Sequence, residues 1–177
     1  MHYSNLLGAS AITVSILMAG CAQSRQVPFN ESSFAGYGGS GSGTIKGTAY
    51  TVLRDNETTR IATSKATIKL MPANAYTEEI VTRRFFNRTK LERPDPAFAK
   101  YVRRVHPDDD EGHFTFSHVP AGTYYVSSHL HWTYPSSYTD ADGVTWDSES
   151  GIDQWIYSKV AVGKGQTVHV EDWSQGK

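Results

Sequence analysis

The sequence predicts an all-β fold, an antiparallel β-sandwich interrupted by one or two short helical insertions. Three observations carry that prediction. Runs of alternating or β-branched residues recur from Gly43 onward, and clusters of turn-forming residues separate them. Aromatic residues make up 12% of the chain, more than a disordered chain could use. At 177 residues the chain is long enough to bury a real core. Its 17 Lys+Arg and 18 Asp+Glu leave a formal net charge of -1, so no net field attracts nucleic acid or an anionic membrane.

From the N-terminus, residues 1–20 contain the apolar run LLGASAITVSILMAG. It has the length of a signal-peptide core and falls short of the ~20 residues of a membrane-spanning helix. The single cysteine, Cys21, follows directly and has no partner for an internal disulfide. Met18-Ala19-Gly20-Cys21 resembles the bacterial lipobox, where a signal peptidase cuts before a cysteine that is then lipidated. That resemblance implies a signal peptide over 1–20 and a lipid anchor on Cys21. Ala22, in place of Asp, implies the outer membrane. Several acyl chains at ~0.8 kcal/mol per buried methylene hold a protein firmly on a bilayer. Residues 21–42 shift to Ser, Gly and Gln, end in a Gly/Ser run, and read as a flexible tether to a domain over 43–177. Phe29, Phe34 and Tyr37 offer part of that tether contacts for docking. The run has neither the Lys-Ser/Thr of a phosphate loop nor the spacing of a nucleophile elbow.

GTIKGTAYTVL (43–53) and ATIKLMP (66–72) read as strands, with RDNETTR as the turn between them. Thr77 is placed to cap a short helix, with Glu78 and Glu79 in its first turn and Ile80, Val81 and Phe85 as its apolar stripe. Asp95 before Pro96 repeats that capping logic. YVRRVH returns to strand and PDDDEG turns. The stretch HFTFSHVPAGTYYVSSHLHW (113–132) reads as a β-hairpin across Pro-Ala-Gly. Thr133 to Gly151 reads as a long polar loop, and two final strands lie across GKGQ.

The phrase DEGHFTFSHVPAGTYYV resembles the signature of the bacterial carboxypeptidase-regulatory-like domain, through Asp110, Gly112, Phe114, Phe116, Val119, Pro120, Ala121, Gly122, Tyr124 and Val126. The resemblance spans roughly 43–173 and implies a transthyretin/prealbumin-like sandwich. It implies little about activity, because such domains serve as appendages, adhesin modules and transporter plugs.

Candidate sites follow from strand periodicity. With Phe114 and Phe116 on the core side beside Tyr124 and Val126, the hairpin's other face carries His113, His129 and His131, with Glu111 close by. A His-x-His pair on a strand sets its Cα atoms ~6.6 Å apart on one face, so both imidazoles reach one metal. His113, His129, His131 and Glu111 are therefore candidate ligands of a metal ion, set against the plainer reading of a solvated strand face. His106, His118 and His169 show no partner by spacing. In YTDADGVTWDSE, Asp140, Asp142 and Glu149 fall at calcium-ligating positions of an EF-hand frame, with Gly143 at its turn and Tyr138 at its start. A solvated loop is the alternative. Trp146 and Trp155, with Tyr134 and Tyr138, are candidates for an exposed aromatic platform for sugar or peptide, or for core packing.

Intradiol dioxygenases share a related sandwich and hold ferric iron with two tyrosines and a His-x-His pair, which the hairpin superficially matches. Tyr125, however, lies about 13 Å along the strand from His129, too far for one iron without a bend. The chain also ends EDWSQGK, unlike the Tyr-Arg-Gly-Ser of purine-pathway hydrolases of transthyretin type. The expectation is a membrane-anchored, non-catalytic binding or scaffolding module of the bacterial cell envelope. It needs no cofactor, touches the membrane through its anchor, and takes an envelope protein or glycan but no nucleic acid as partner. The alternatives are a metal-binding envelope protein and an iron enzyme.

Overall fold

The structure, a computed structural model, describes residues 22–52, 59–61, 65–87 and 90–175; Cys21 and the apolar segment 1–20 lie outside the described residues. Two sheets face each other across an apolar core. In the smaller, β1 (Gly43–Thr48) is central, with β6 (His113–Val119) antiparallel on one side and β9 (Thr167–Val170) parallel on the other. In the larger, β7 (Gly122–Thr139) lies between β4 (Ile68–Pro72) and β8 (Thr145–Val162), with β5 (Arg103–Val105) and β10 (Ser174–Gln175) at the edges. A separate ribbon pairs β2 (Tyr50–Val52) with β3 (Thr59–Ile61). The core is built by alternation from both sheets: Ile45, Phe114, Phe116 and Val170 from the smaller meet Ile68, Leu70, Val126, Leu130 and Ile156 from the larger. Among the described residues no helix is long and apolar enough to cross a membrane.

The expected hairpin of β6 and β7 is absent. β6 pairs with β1, and β7 pairs with β4 and β8, so Pro120-Ala121 is a corner that carries the chain from one sheet to the other. The alternation predicted the core face of both strands correctly, but a core face is shared equally by hairpin neighbours and by strands that oppose each other across a sandwich. The corner is fixed by the Tyr124 hydroxyl, which donates to the Pro120 carbonyl at 2.8 Å; burial pushes this phenol up to about 12. A Cβ at Gly122 would lie 2.7 Å from the Tyr37 ring, so glycine is what lets that ring close over the corner. A bulge precedes the corner. Between Gly43↔Val119 and Ile45↔Phe116, Thr44 of β1 opposes both Ser117 and His118 of β6, and His118 takes a φ of 56. The extra residue turns Val119 inward after Phe114 and Phe116.

The outer face of the larger sheet is covered for half its length. Helix α1 (Ala75–Val81) is capped by Asn74, whose side chain accepts from the Thr77 amide while the Thr77 hydroxyl accepts from the Asn74 amide. Thr77 is thus the third residue of a capping box and not the cap itself. The helix widens into a π turn at Thr82–Phe86, and Ile80, Val81 and Phe85 form the expected buried stripe. Asp95 caps the 3₁₀ turn Pro96–Tyr101, as its spacing predicts.

Residues 22–42, which composition reads as a tether, pack onto this layer. Phe34 is completely buried, with its ring 4.7 Å from Tyr101 and 5.6 Å from Phe98, and Phe29 stacks against it at 5.2 Å. The Glu79 carboxylate accepts from the amides of Gln26 and Val27 at 2.8 and 3.0 Å and pairs with Arg83. Burial pushes this carboxyl up, but those amides with Arg83 and Arg25 outweigh it and hold the group below its usual range.

The largest departure concerns Thr133 to Gly151. Instead of a loop, β7 and β8 stay paired over all eighteen positions, from Gly122↔Val162 to Thr139↔Thr145. β4 accompanies β7 only from Tyr124 to Ser128, and β10 meets β8 only at Ile156 and Tyr157. Among the described residues no third strand pairs with the distal part of the hairpin, which is therefore a two-stranded arm. Its serines, Asp residues and Pro135 look loop-like in sequence, yet a strand with no further neighbour tolerates proline and polar residues on both faces.

Candidate functional site

The structure divides the predicted metal ligands. His113 and Glu111 stand at the start of β6, on the outside of the smaller sheet; His129 and His131 stand on the outside of the larger one. The hydrophobic core lies between the two groups, because residues that alternate with core positions on opposed sheets face opposite ways. Asp109 replaces the missing histidines beside His113. Its carboxylate lies 2.6 Å from His113 Nδ1, Glu111 lies 3.7 Å from the same nitrogen, and donors from these three exposed residues fall within 4.8 Å of one another. The other Asp109 oxygen accepts from the Glu111 and His113 amides at 3.0 and 3.1 Å, which closes the turn. The Asp109 carboxylate raises the His113 pKa above its ordinary value.

On the larger sheet, one oxygen of Asp153 lies 3.0 Å from His129 Nε2 and 3.0 Å from His131 Nδ1. His129 also stacks on Trp155, ring centroids 4.1 Å apart, and burial lowers its pKa against the pull of Asp153. Both imidazoles on this face thus converge on a carboxylate that spacing did not single out. Asp153 was legible only from the strand register, in which it faces His131. Tyr125 lies under α1, where its hydroxyl donates to Glu78. His106 meets the Ala66 carbonyl at 2.8 Å.

The candidate calcium ligands are also separated. Asp140 sits at the arm's tip and accepts from the amides of Asp142 and Val144 at 3.0 and 2.9 Å, and from Trp146 Nε1 at 3.1 Å. Those three donors lower its pKa, with Trp146 first. Gly143 takes a φ of 81 to complete the turn. Glu149 faces Pro135, four register steps down the arm from Thr139, or about 13 Å along the strand. Asp140, Asp142 and Glu149 therefore belong to a hairpin turn and its stem, with no common centre.

The arm does gather the aromatic residues. Tyr138 and Trp146 are directly opposite each other, 67% and 61% exposed, and Tyr134 shares their face at 39%. Between these aromatic stations, Ser136 Oγ lies 2.8 Å from Ser148 Oγ and 2.9 Å from Ser150 Oγ. The same face continues at the base of the arm to Trp132, which packs against the core and whose indole N–H is buried without a partner. Trp155 leaves the predicted platform, since it lies at an odd-numbered step of β8 and points to the opposite face, where Phe85 packs edge-on at 5.5 Å. Trp132 takes its place, and the alternation Trp132, Tyr134, Ser136, Tyr138 was visible in the sequence once the segment is read as strand.

No family model and no curated protein matches the sequence. Among solved structures, the chain is similar to a Pseudomonas aeruginosa protein whose crystal structure at 2.61 Å is described as that of a "putative carbohydrate binding protein". The two are 28% identical with a TM-score of 0.59, over 80% of this chain and 96% of that one. The likeness therefore spans nearly the whole of that crystallised chain.

Proposed function

We propose that this chain is a glycan-binding module of the bacterial cell envelope, and that the aromatic face of the β7–β8 arm is where the glycan docks. The observation that carries this reading is the exposed pair Tyr138 and Trp146, on one face with Tyr134 and the hydroxyls of Ser136, Ser148 and Ser150. Large aromatic side chains on an unsupported arm contribute little to folding, because stabilisation requires that they be buried. Sugar rings present C–H faces that lie on aromatic rings and hydroxyls that bond to serines, and this face offers both. Tyr134 and Tyr138 are about 13 Å apart along the strand, which suits an oligosaccharide better than a single sugar. Residues 133–151 carry Asp140, Asp142, Asp147 and Glu149 and no Lys or Arg, so the arm favours a neutral or amino sugar over an acidic one.

The description of the Pseudomonas aeruginosa neighbour supports the same ligand class. The phrase DEGHFTFSHVPAGTYYV supports a carboxypeptidase-regulatory-like, transthyretin-type sandwich as the scaffold. Met18 to Cys21 supports lipidation and an outer-membrane location, with the bilayer as a second partner.

The test is a glycan array probed with the full chain, followed by calorimetry on the best oligosaccharide. Trp146→Ala is expected to weaken binding about tenfold, the loss of ~1.4 kcal/mol, with the melting temperature unchanged. An array without hits, or equal affinity in Trp146→Ala and Tyr138→Ala, would remove the reading. Cys21→Ser is expected to abolish acyl labelling and release the protein from the membrane fraction.

A further inference from the structure

Away from the arm, three cations share the outer face of the larger sheet without an acidic partner. Lys69 on β4 is directly opposite Arg104 on β5. Arg84, from the π turn that follows α1, reaches over the same face and sets its guanidinium 4.8 Å from the Trp155 ring centroid. Among the described residues no carboxylate lies within ion-pair distance of Lys69, Arg84 or Arg104. The acids nearby are committed elsewhere: Asp153 to His129 and His131, Glu78 to Tyr125 and Lys159, Glu79 to Arg83.

Like charges directly opposed across two strands oppose pairing, and Lys69 is half-buried as well. Burial depresses the Lys69 ammonium, and Arg84 and then Arg104 depress it further. Arg84 rests on Trp155 and Arg104 donates to the Val102 carbonyl, but among the described residues no anion offsets this crowding. An oxyanion placed among the three would, since two guanidinium groups and an ammonium supply both charge and directed N–H donors.

We propose that Lys69, Arg84 and Arg104 form a second binding site, distinct from the arm, that takes the carboxylate or phosphate of an acidic sugar. That a sugar carries the anion rests on the glycan reading of the arm; that an oxyanion binds does not. Glu78 and Asp153 offset the other cationic groups of this face, Lys159 and the two histidines, and leave these three uncompensated. Three cations suffice for a single oxyanion group and are too few for an anionic membrane surface, which needs a broad run of them. The chain thereby separates its preferences, with an acidic aromatic arm for neutral or amino sugars and a cationic shelf for acidic ones.

The test follows backbone amide shifts of the full chain by NMR, titrated with inorganic phosphate, glucuronate, glucose 6-phosphate and glucose in turn. Phosphate and both acidic sugars are expected to shift the amides of Lys69, Arg84 and Arg104 saturably, and glucose is not. Raising salt from 50 to 200 mM should weaken binding several-fold. Arg104→Gln, an exposed change, should weaken it at least fivefold, whereas Trp146→Ala should leave it intact. Shifts that do not saturate, or that persist unchanged in Arg104→Gln and Lys69→Gln, overturn the site. Saturable phosphate binding without either acidic sugar overturns the sugar. Binding to vesicles of anionic lipid that Arg104→Gln abolishes, with no response to the acidic sugars, assigns the shelf to a membrane and overturns the proposal. Should the array show no neutral oligosaccharide while phosphate and glucuronate still bind here, the arm reading fails and this one stands.

Discussion

Both ends of the β7–β8 hairpin carry tyrosines, and those tyrosines have opposite fates. At the proximal end Tyr124 faces the core and Tyr125 packs beneath α1, and each is 3% exposed although they are neighbours in sequence. At the distal end Tyr134 and Tyr138 stand exposed, on a face that no element among the described residues covers. The strands are continuous and the register unbroken, so the pairing of β7 with β8 does not mark the change. What differs is the company. The smaller sheet covers one proximal face, and α1 with the docked segment 22–42 covers the other. Alternation decides which side chains share a face; covering decides whether that face is core or contact surface.

Substitutions at the two ends sharpen this contrast. Phe34→Ala should have the largest effect. It empties a fully buried site in the layer that covers the proximal hairpin and should cost about 3–5 kcal/mol in a denaturant melt. A loss below ~1 kcal/mol would mean that segment 22–42 does not hold the layer together. Trp146→Ala should give the reverse pattern, a change in stability within ~0.5 kcal/mol and the tenfold loss of oligosaccharide affinity. A large drop in melting temperature there would show the arm to be structural.

Smaller effects probe local order. Asp140→Ala removes the acceptor of two amides and the Trp146 indole, so amide exchange at Val144 should quicken while the proximal hairpin stays protected. Because the Asp140 pKa is lowered in the folded chain, its contribution is present above the unfolded carboxyl pKa and lost as pH falls through the folded one. The tip should therefore loosen in acid before the sandwich does, as amide shifts would report.

The histidines give the smallest effect, and it has two signs. His113, raised by Asp109, adds stability that is fully present below its unfolded pKa and fades as pH rises through its folded one. His129, lowered chiefly by burial, adds stability that is present above the unfolded pKa and lost as pH falls. Imidazole NMR titrations should place His113 above the ordinary 6.5 and His129 below it. Coincident titrations would erase the distinction between the two histidine environments.

Much of this was legible in the residues. The all-β class, the inward set Phe114, Phe116, Tyr124, Val126 and Leu130, the stripe Ile80, Val81 and Phe85, and the Asp95-Pro96 cap all follow from local periodicity and capping chemistry. The aromatic platform was legible in its distal members, Tyr134, Tyr138 and Trp146. The metal set failed for a definite reason. A Pro-Ala-Gly link serves a hairpin and an inter-sheet corner alike, and the choice moved His113 to the far side of the core from His129 and His131. Likewise Gly and Ser mark a chain free to be a tether, while Phe34 and the Glu79 clamp dock the stretch from Gln26 to Phe34 that precedes the Gly/Ser run.

By itself, then, the amino-acid order determined which residues face together along each strand, where helical turns begin, and where charge is concentrated. These depend on interactions reaching only a few residues along the chain. Only the tertiary structure decided which strand edges meet, which faces are covered, and therefore that one hairpin is core at its base and an exposed arm at its tip. Strand pairing and burial are settled by contacts between segments far apart in sequence, whose competing partners no local pattern can rank.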